Sequence, residues 1–200
     1  MPAAQRIWAG TTLADRRATR RRQFIDAGLE LLGSDGTAAV SVRAACRTAK
    51  LTERYFYENF TDRDALLLAV YESVAEEARG ALVDAVAAAP QRTEDLVRAA
   101  VTAFAELIID DPRKGTVLLL APLTDPALTR RGSELLPAFT TLIQDQLPAT
   151  IDETERQLVA VGLIGSLTNL FINYLNGALA VPRDRLVEHC VQLLLNATVS

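Results

Sequence analysis

The segment SVRAACRTAKLTERYFYENFTDRDALLL, residues 41–68, predicts two short helices joined by a tight turn and followed by the start of a third. In the first helix, apolar residues recur at helical spacing after Val42, and Ser41 stands where a side-chain oxygen caps the free N–H groups. In the second helix, Phe56 and Phe60 share one face. Two short helices that cross through such a turn form a helix-turn-helix, which presents its second helix to the major groove of DNA.

A third helix is predicted directly after this motif. Thr61 and Asp64 form the S/T-x-x-D/E pattern that precedes a helix, and the apolar run 65–70 follows it. We therefore expect one long helix from Asp62 to about residue 88, and its length makes it the connector to the rest of the chain.

The side chains outside the small core of the motif are mostly cations, phenols and amides. Such groups hydrogen-bond to phosphates and to the edges of bases. They are Arg43, Arg47, Lys50, Arg54, Tyr55, Tyr57, Asn59 and Arg63, and the acid Glu58 lies among them.

The motif resembles that of the TetR-type (tetracycline-repressor-like) transcriptional regulators. The residues at its positions are Ser41, Val42, Arg43, Ala45, Cys46, Ala49, Lys50, Leu51, Thr52, Phe56, Tyr57, Asn59, Phe60, Asp62, Arg63 and Leu66. The resemblance implies a homodimeric all-α regulator, most often a repressor, that binds a palindromic operator in double-stranded DNA. It also places Lys50 at a left-handed turn position where the family usually has Gly.

The resemblance and the side-chain chemistry together predict individual DNA contacts. The residues expected to position phosphates are Lys50, Thr52, Tyr57, Asn59 and Arg63. The residues expected to read bases are Arg43, Arg54 and Tyr55, with Glu58 as a candidate acceptor from a cytosine amine. In the family the first helix begins close to the DNA backbone, so one or two of Arg16, Arg17, Arg20, Arg21 and Arg22 are expected to meet phosphates.

Charge is distributed unevenly along the chain. The formal net charge of -4 argues against a nucleic-acid partner, but residues 1–64 hold 11 Arg and Lys against 8 Asp and Glu. Residues 65–200 hold 10 against 17. The basic end carries the motif, as expected for a local phosphate-facing surface on an otherwise acidic protein.

The rest of the chain shows helical spacing and no strand pattern, so we predict an all-α fold of about nine helices. An N-terminal three-helix module is expected to join a larger helical body. We expect residues 1–14 to form a mobile N-terminal arm, 15–64 the DNA-binding domain, and 65–200 a domain for effector binding and dimerisation.

Residues 158–178 are apolar nearly all round, so this helix needs to be covered on both sides. Its stripe of small and amide side chains, with the apolar stripe of the last helix, predicts a four-helix seam between two chains. TetR-type proteins dimerise in this region. The predicted interface residues are Gly162, Gly165, Asn169, Leu186, Cys190, Leu193 and Leu194. A membrane span is disfavoured because the amides would be costly in lipid.

A few polar groups among apolar helices also suggest a small-molecule pocket. Most TetR-type relatives bind a small apolar or amphipathic effector in the body and then release DNA. The predicted lining is Phe104, Leu107, Val117, Leu120, Phe139, Thr168, Phe171, Asn173 and Tyr174. Plain core packing with satisfied amides is the alternative interpretation of these residues.

Other functional classes find little support in the sequence. The single histidine, His189, has no identifiable acid partner, and no hydrolase, metal-ligand or nucleotide-binding motif occurs, so neither an enzyme nor a cofactor is predicted. Cys46 and Cys190 lie in separate apolar stripes, which favours free thiols in a reducing cytoplasm. Two alternatives remain: a regulator that acts without an effector, and a helical dimeric binding protein with no DNA role.

Overall fold

The computed structural model describes residues 13–148 and 150–199. Within these residues the chain forms nine α-helices and no strand, so the all-α prediction is confirmed. The helices are α1 (Leu13–Asp35), α2 (Val42–Ala49), α3 (Glu53–Tyr57), α4 (Arg63–Ala88), α5 (Thr93–Ala105), α6 (Pro112–Gly115), α7 (Pro126–Gln144), α8 (Glu153–Leu175) and α9 (Arg183–Val199). Residues 1–12 of the predicted arm lie outside the described residues, and residues 13–14 belong to α1.

Short irregular turns extend or join several of these helices. A 3₁₀ turn, Thr37–Ala39, lies between α1 and α2. Wider π-type turns continue α5 over Glu106–Asp110 and α6 over Thr116–Leu120, and a second 3₁₀ turn, Ala121–Leu123, leads to α7. The connections are therefore short, and the segment between α5 and α7 is helical almost throughout.

Side-chain caps fix where α2 and α4 begin. Ser41 Oγ accepts from the Ala44 amide at 3.1 Å, as the sequence predicts for α2. At α4 the cap is Asp62, whose carboxylate accepts from the Ala65 amide at 2.8 Å. The prediction that Thr61 opens this helix is therefore wrong by one residue. A carboxylate at this position accepts the hydrogen bond and also interacts favourably with the helix dipole.

An aromatic cluster holds the first three helices together. Phe24 of α1, Phe56 of α3 and Phe60 are all buried. The ring of Phe24 meets the other two edge-on, with centroid distances of 5.4 Å to Phe56 and 6.1 Å to Phe60. Edge-to-face geometry is favourable for aromatic pairs, so the cluster sets the orientation of α3 on α1.

The long helix α4 belongs to both parts of the molecule. Near its start, Leu66 and Val70 are fully buried beside α1, and an added Cβ at Gly28 of α1 would lie 2.5 Å from a methyl of Val70. Further along, Val74 and Ala78 belong to the same hydrophobic cluster, which continues into the body. One continuous core therefore joins the N-terminal module to the helices that follow.

The module is also fixed to the body where α1 crosses α6. A Cβ added at Gly33 would lie 2.5 Å from Cβ and 2.7 Å from Cα of Arg113, so only glycine permits this approach. The Arg113 guanidinium bridges Glu30 of α1 at 2.6 Å and Asp111 at 2.9 Å. A second ion pair, Lys114 with Glu77, ties α6 to α4 at 2.6 Å. The end of α1 thus contacts the body directly.

The inner stripe of the last helix packs within its own chain. Leu186, Cys190 and Leu194 are only 2%, 0% and 8% exposed, and α9 lies against α5. The prediction that these three residues form the dimer interface is wrong, because the apolar stripe of α9 covers α5 instead of a second chain. Leu193 is half-buried beside them.

The two cysteines are free and buried, as predicted. Burial raises the pKa of Cys190 to about 11. Burial, aided by the carboxylate of Glu53, also raises the pKa of Cys46. Both side chains therefore remain neutral thiols near neutral pH.

Candidate functional site

The turn between α2 and α3 adopts the geometry expected of a helix-turn-helix. Lys50 has φ 55° and ψ 39°, which confirms the left-handed conformation predicted at this position. Its amide donates to the Arg47 carbonyl at 3.3 Å, and the Leu51 amide donates to the Cys46 carbonyl at 3.0 Å. These bonds close the C-terminus of α2 and direct the chain into α3.

Lys50→Gly should leave stability unchanged or raise the free energy of unfolding by up to about 1 kcal/mol. Glycine removes the steric cost of the left-handed conformation but increases the entropy of the unfolded chain, and these two effects oppose each other. Urea unfolding followed by circular dichroism measures the difference. A clear loss of stability would show that the Lys50 side chain contributes to the fold.

The outer surface of the motif carries exposed polar side chains. Arg43, Arg47 and Lys50 are exposed, and none forms an ion pair with another described residue. Thr52 is also exposed at the start of α3, and Tyr57 is 59% exposed with its ring edge-on to Phe56. These cations and hydroxyls are available to a polyanionic partner.

Arg54 lies on the same surface but is engaged. Its Nε donates to the Glu58 carboxylate at 3.2 Å, one helical turn away, and its side chain is 84% exposed. An exposed pair of this kind contributes little to stability. Arg54 can therefore exchange Glu58 for another acceptor at small cost.

Tyr55 is only half-buried, but one face of its ring is covered. The Arg20 guanidinium lies 4.1 Å from its centroid, and Arg21 lies 4.9 Å from the ring centroid of Phe60. Two arginines of α1 therefore stack on the aromatic residues of the motif. From the sequence these arginines were candidates for phosphate contacts only, because their aromatic partners are more than 30 residues away in the chain.

Arg63 and Asn59 make bonds inside the module. The Arg63 guanidinium donates to the Val40 carbonyl at 2.7 Å, to the Thr37 carbonyl, and to Asp64 at 2.9 Å. Asn59 Nδ2 donates to the Tyr55 carbonyl at 2.7 Å. Arg63 thereby connects the start of α4 to the segment before α2, a role that the sequence analysis missed.

A cavity of about 440 Å³ lies in the body between α4, α5, α7 and α8. Four of the predicted lining residues surround it, namely Phe104, Phe139, Thr168 and Phe171. Its walls also include residues of α4 and α7 that the sequence analysis missed, such as Tyr71, Leu82 and Leu135.

The other five predicted lining residues do not border the cavity, and the prediction is wrong for them. They are Leu107, Val117, Leu120, Asn173 and Tyr174. Val117 is fully buried in the core, and the π-type turn that carries it packs on α1 and α4. Asn173 instead bonds along α8 to the carbonyl of Asn169 at 2.8 Å. Helical spacing marks residues that face inward but does not separate core from cavity.

One stripe of α8, which we call the α8 outer face, is not covered by any other described part of the chain. Leu158 is 62% and Val161 51% exposed. Gly162, Gly165, Ser166 and Asn169 complete the stripe and are also exposed. Cβ atoms added at the two glycines would meet nothing within 4 Å. Three of the predicted interface residues, Gly162, Gly165 and Asn169, therefore lie on an open, partly apolar surface.

In length and composition, α8 could also cross a membrane. Its mean hydropathy reaches 1.7, and 17% of its most apolar window is buried in the chain. A single helix of this kind is weak evidence for a membrane protein. Its outer face holds Ser166 and Asn169, and its opposite side packs against α7. In the described part of the chain, no three His, Cys, Asp or Glu residues are placed to hold a metal ion.

Comparisons with known proteins confirm the resemblance to TetR-type regulators. Residues 24–70 match the family model for bacterial regulatory proteins of the tetR family. No curated protein sequence matches the chain. The fold is similar to that of the fatty acid degradation regulator FadR from Bacillus halodurans, at 17% identity and a TM-score of 0.75, over 88% of this chain and 94% of that one.

Two further solved structures share the fold. A TetR-like transcriptional regulator from Rhodococcus sp. RHA1 aligns at 17% identity and a TM-score of 0.72, over 92% of this chain and 97% of that one. FadR from Bacillus subtilis, solved in complex with stearoyl-CoA, aligns at 13% identity and a TM-score of 0.75, over 88% and 98%. The chain therefore has the fold of TetR-family transcriptional regulators along most of its length.

Proposed function

We propose that this chain, which has the fold and the N-terminal sequence motif of TetR-family regulators, is a homodimeric DNA-binding transcriptional regulator controlled by a small apolar effector. The observation that carries the proposal is the helix-turn-helix surface. There, Arg43, Arg47 and Lys50 are exposed and unpaired among the described residues, and Tyr57 lies beside them. Such a surface suits phosphates and base edges. This function requires that the protein be soluble and lie in the cytoplasm.

The roles proposed for individual residues follow from their contacts. Lys50, Thr52 and Tyr57 position the DNA backbone, whereas Arg43 and Arg54 read bases. Tyr55 has one ring face under Arg20, so it contacts DNA through its edge or hydroxyl. Asn59 and Arg63 shape the module through their internal bonds, and any contact with phosphate is secondary to that role.

A second copy of the chain is the proposed occupant of the α8 outer face. Glycines with open space around them allow two helices to approach closely, and Leu158 and Val161 supply apolar area. Asn169 can form hydrogen bonds across the seam. A two-fold axis here would pair two reading helices on a palindrome with half-sites about 34–36 Å apart, or a multiple of that distance.

The cavity is the proposed effector site. It is lined almost entirely by apolar side chains and falls within the size range of pockets for small molecules. The similar Bacillus subtilis FadR was solved with stearoyl-CoA, which supports an apolar effector here. Tyr71, Leu82 and Val86 of the cavity belong to α4, the helix that begins at Arg63 in the DNA-binding module. A coupling of about 1–3 kcal/mol would suffice for release of DNA.

A gel-shift experiment tests the DNA-binding function. The probe is the DNA that flanks the protein's own coding sequence, divided into overlapping fragments, with scrambled fragments as competitors. We expect one fragment that contains an imperfect palindrome to be retained, with an affinity that falls steeply as salt rises. Equal retention of every fragment would contradict the proposal. So would a failure to bind any fragment together with a failure to select a site from random DNA.

Arg54→Ala should weaken binding to the preferred site by about 1–3 kcal/mol and relax the preference at one base position in each half-site. The reason is the loss of a guanidinium that can donate to a base edge. Site selection from random DNA, followed by sequencing, measures the preference. An identical selected site for both proteins would remove Arg54 from the readers.

The ion pair with Glu58 requires a control for that experiment. Arg54→Ala leaves an unpaired carboxylate on the DNA-facing surface, which by itself repels phosphate. The double variant Arg54→Ala with Glu58→Ala removes both charges. If it selects the wild-type site at full affinity, the single variant acted through repulsion alone.

A further inference from the structure

One phenol in the wall of the cavity has no hydrogen-bond partner among the described residues. Tyr71 on α4 is 5% exposed as a residue, and its unpaired hydroxyl oxygen is not fully buried. A Cβ added at Gly132 of α7 would lie 2.8 Å from Oη, so the hydroxyl occupies the space that a side chain at this position would need. Buried tyrosine hydroxyls usually have a partner. Tyr71 therefore offers a free polar group to a molecule in the cavity.

The described lining of the cavity offers no positive charge to pair with an anion. Among the described residues that line it there is no Arg, Lys or His, and Asp145, at the exposed end of α7, is the one charged group. Arg131 is close enough to act on Tyr71 electrostatically, but it lies outside the lining. Its guanidinium donates to Glu72 and to Glu134, each at 2.8 Å. A buried anion would therefore lack a free counter-charge.

The other hydroxyls near Tyr71 are already engaged. Thr129 donates to the carbonyls of Pro122 and Asp125, and Ser133 donates to the Thr129 carbonyl at 3.1 Å. These bonds lie along α7 and at its start. Unlike the hydroxyls of Thr129 and Ser133, the hydroxyl of Tyr71 therefore remains free to donate a hydrogen bond to a ligand.

We propose that the cavity binds an uncharged, mostly apolar molecule with one hydrogen-bond-accepting oxygen, and that Tyr71 Oη donates to this oxygen. The inference rests on the proposed effector function and specifies its ligand class. Apolar walls provide most of the affinity, and the Tyr71 hydroxyl orients the molecule, while Thr168 and Gln146 are the other side chains of the described lining that could donate. A charged group buried in the cavity would be unfavourable, because the described lining residues offer no counter-charge to an anion.

Calorimetric titration of the full-length protein without DNA tests the ligand class. Three probes share one chain length and differ in head group: methyl decanoate, decanoate at pH 8, and decyltrimethylammonium. We expect the ester to bind at least about tenfold more tightly than decanoate, because a buried anion would have no counter-charge among the described lining residues. We expect the same of the cation, because its one acidic partner in the lining, Asp145, is exposed to solvent, where an ion pair contributes little. Binding of either ion as tightly as the ester, or no binding of the ester, would overturn the proposal.

Tyr71→Phe tests the donor. The affinity for methyl decanoate should fall about three- to tenfold, the usual effect of one lost hydrogen bond. Tyr174→Phe is the matched control, because Tyr174 does not line the cavity, and it should bind as the wild type does. Unchanged affinity in Tyr71→Phe would exclude the assigned donor. The hydroxyl has no partner among the described residues, so we expect the variant to keep the wild-type circular dichroism spectrum.

Gly132→Ala provides a second route to the same hydroxyl. The added methyl group would lie too close to Oη and displace the hydroxyl, so the variant should also bind the ester several-fold more weakly without changing the weak binding of the ions. DNA binding by ligand-free protein is measured separately by gel shift. If the wild-type protein does not bind DNA, the proposed regulatory function is wrong but the ligand class still stands. If it binds DNA but does not bind the ester, the ligand class is wrong but the regulatory function still stands.

Discussion

Arg63→Ala should lower the free energy of unfolding by about 2–3 kcal/mol. The guanidinium donates to the carbonyls of Val40 and Thr37, and both lose a charged donor in the variant. For a chain of this size, such a change lowers the melting temperature by roughly 5–10 °C. Thermal and urea unfolding, both followed by circular dichroism, measure it. DNA affinity should fall for all sequences, because the segment before α2 is no longer tied to α4.

Arg43→Ala is the matched control for Arg63. Its side chain is exposed and has no ion pair among the described residues, so its removal should change stability by no more than about 0.5 kcal/mol. It should nevertheless reduce DNA affinity and lower the salt slope by about one unit if the guanidinium contacts phosphate as well as base. If Arg63→Ala instead keeps full stability but shows reduced DNA affinity and a lower salt slope, Arg63 contacts phosphate directly, as the sequence alone suggested.

Gly165→Glu should convert a dimer into a monomer and reduce operator affinity on the order of a hundredfold. The residue lies on the α8 outer face, where a two-fold seam would bring the two new carboxylates close together. A Cβ at this position meets nothing within 4 Å, so the fold of each chain should survive. Light scattering at micromolar concentration gives the mass, and gel shift gives the affinity.

Gly80→Glu is the control for the effect on folding of replacing a helical glycine by glutamate. Gly80 also lies inside a helix, and a Cβ there also meets nothing within 4 Å, but it belongs to α4 and not to the α8 outer face. This variant should remain dimeric and bind DNA. A monomeric wild-type protein, or a dimeric Gly165→Glu variant, would show that this face is not the seam.

The helix-turn-helix could be predicted because its evidence is local. The cap at Ser41 and the turn at Lys50 act within a few residues, and both are found where the sequence placed them. Phe56 and Phe60 pack together as their spacing predicts, although α3 ends at Tyr57 and Phe60 follows it. Long-range roles could not be predicted in the same way. Arg63 reaches Val40, 23 residues away, and no pattern in the sequence specifies that partner.

The body shows a second limit of sequence patterns. An apolar stripe indicates that a helix face needs cover, but it does not indicate which chain provides it. The stripe of α9 with Leu186 and Cys190 is covered by α5 of the same chain, whereas the outer face of α8 remains open. Likewise, Val117 and Phe104 are both apolar residues on helical turns, yet one lies in the solid core and the other borders a cavity.

The length of α4 has a mechanical consequence for the proposed regulation. Its 26 residues span about 39 Å without a break. A tilt of about 5° around its C-terminal end therefore moves its first turn by about 3 Å, roughly the rise of one base pair. In a two-fold dimer both ends move, so the separation of the reading helices changes by about two base pairs. A ligand that tilts α4 by a few degrees would place the protein out of register with its operator while every helix remains folded.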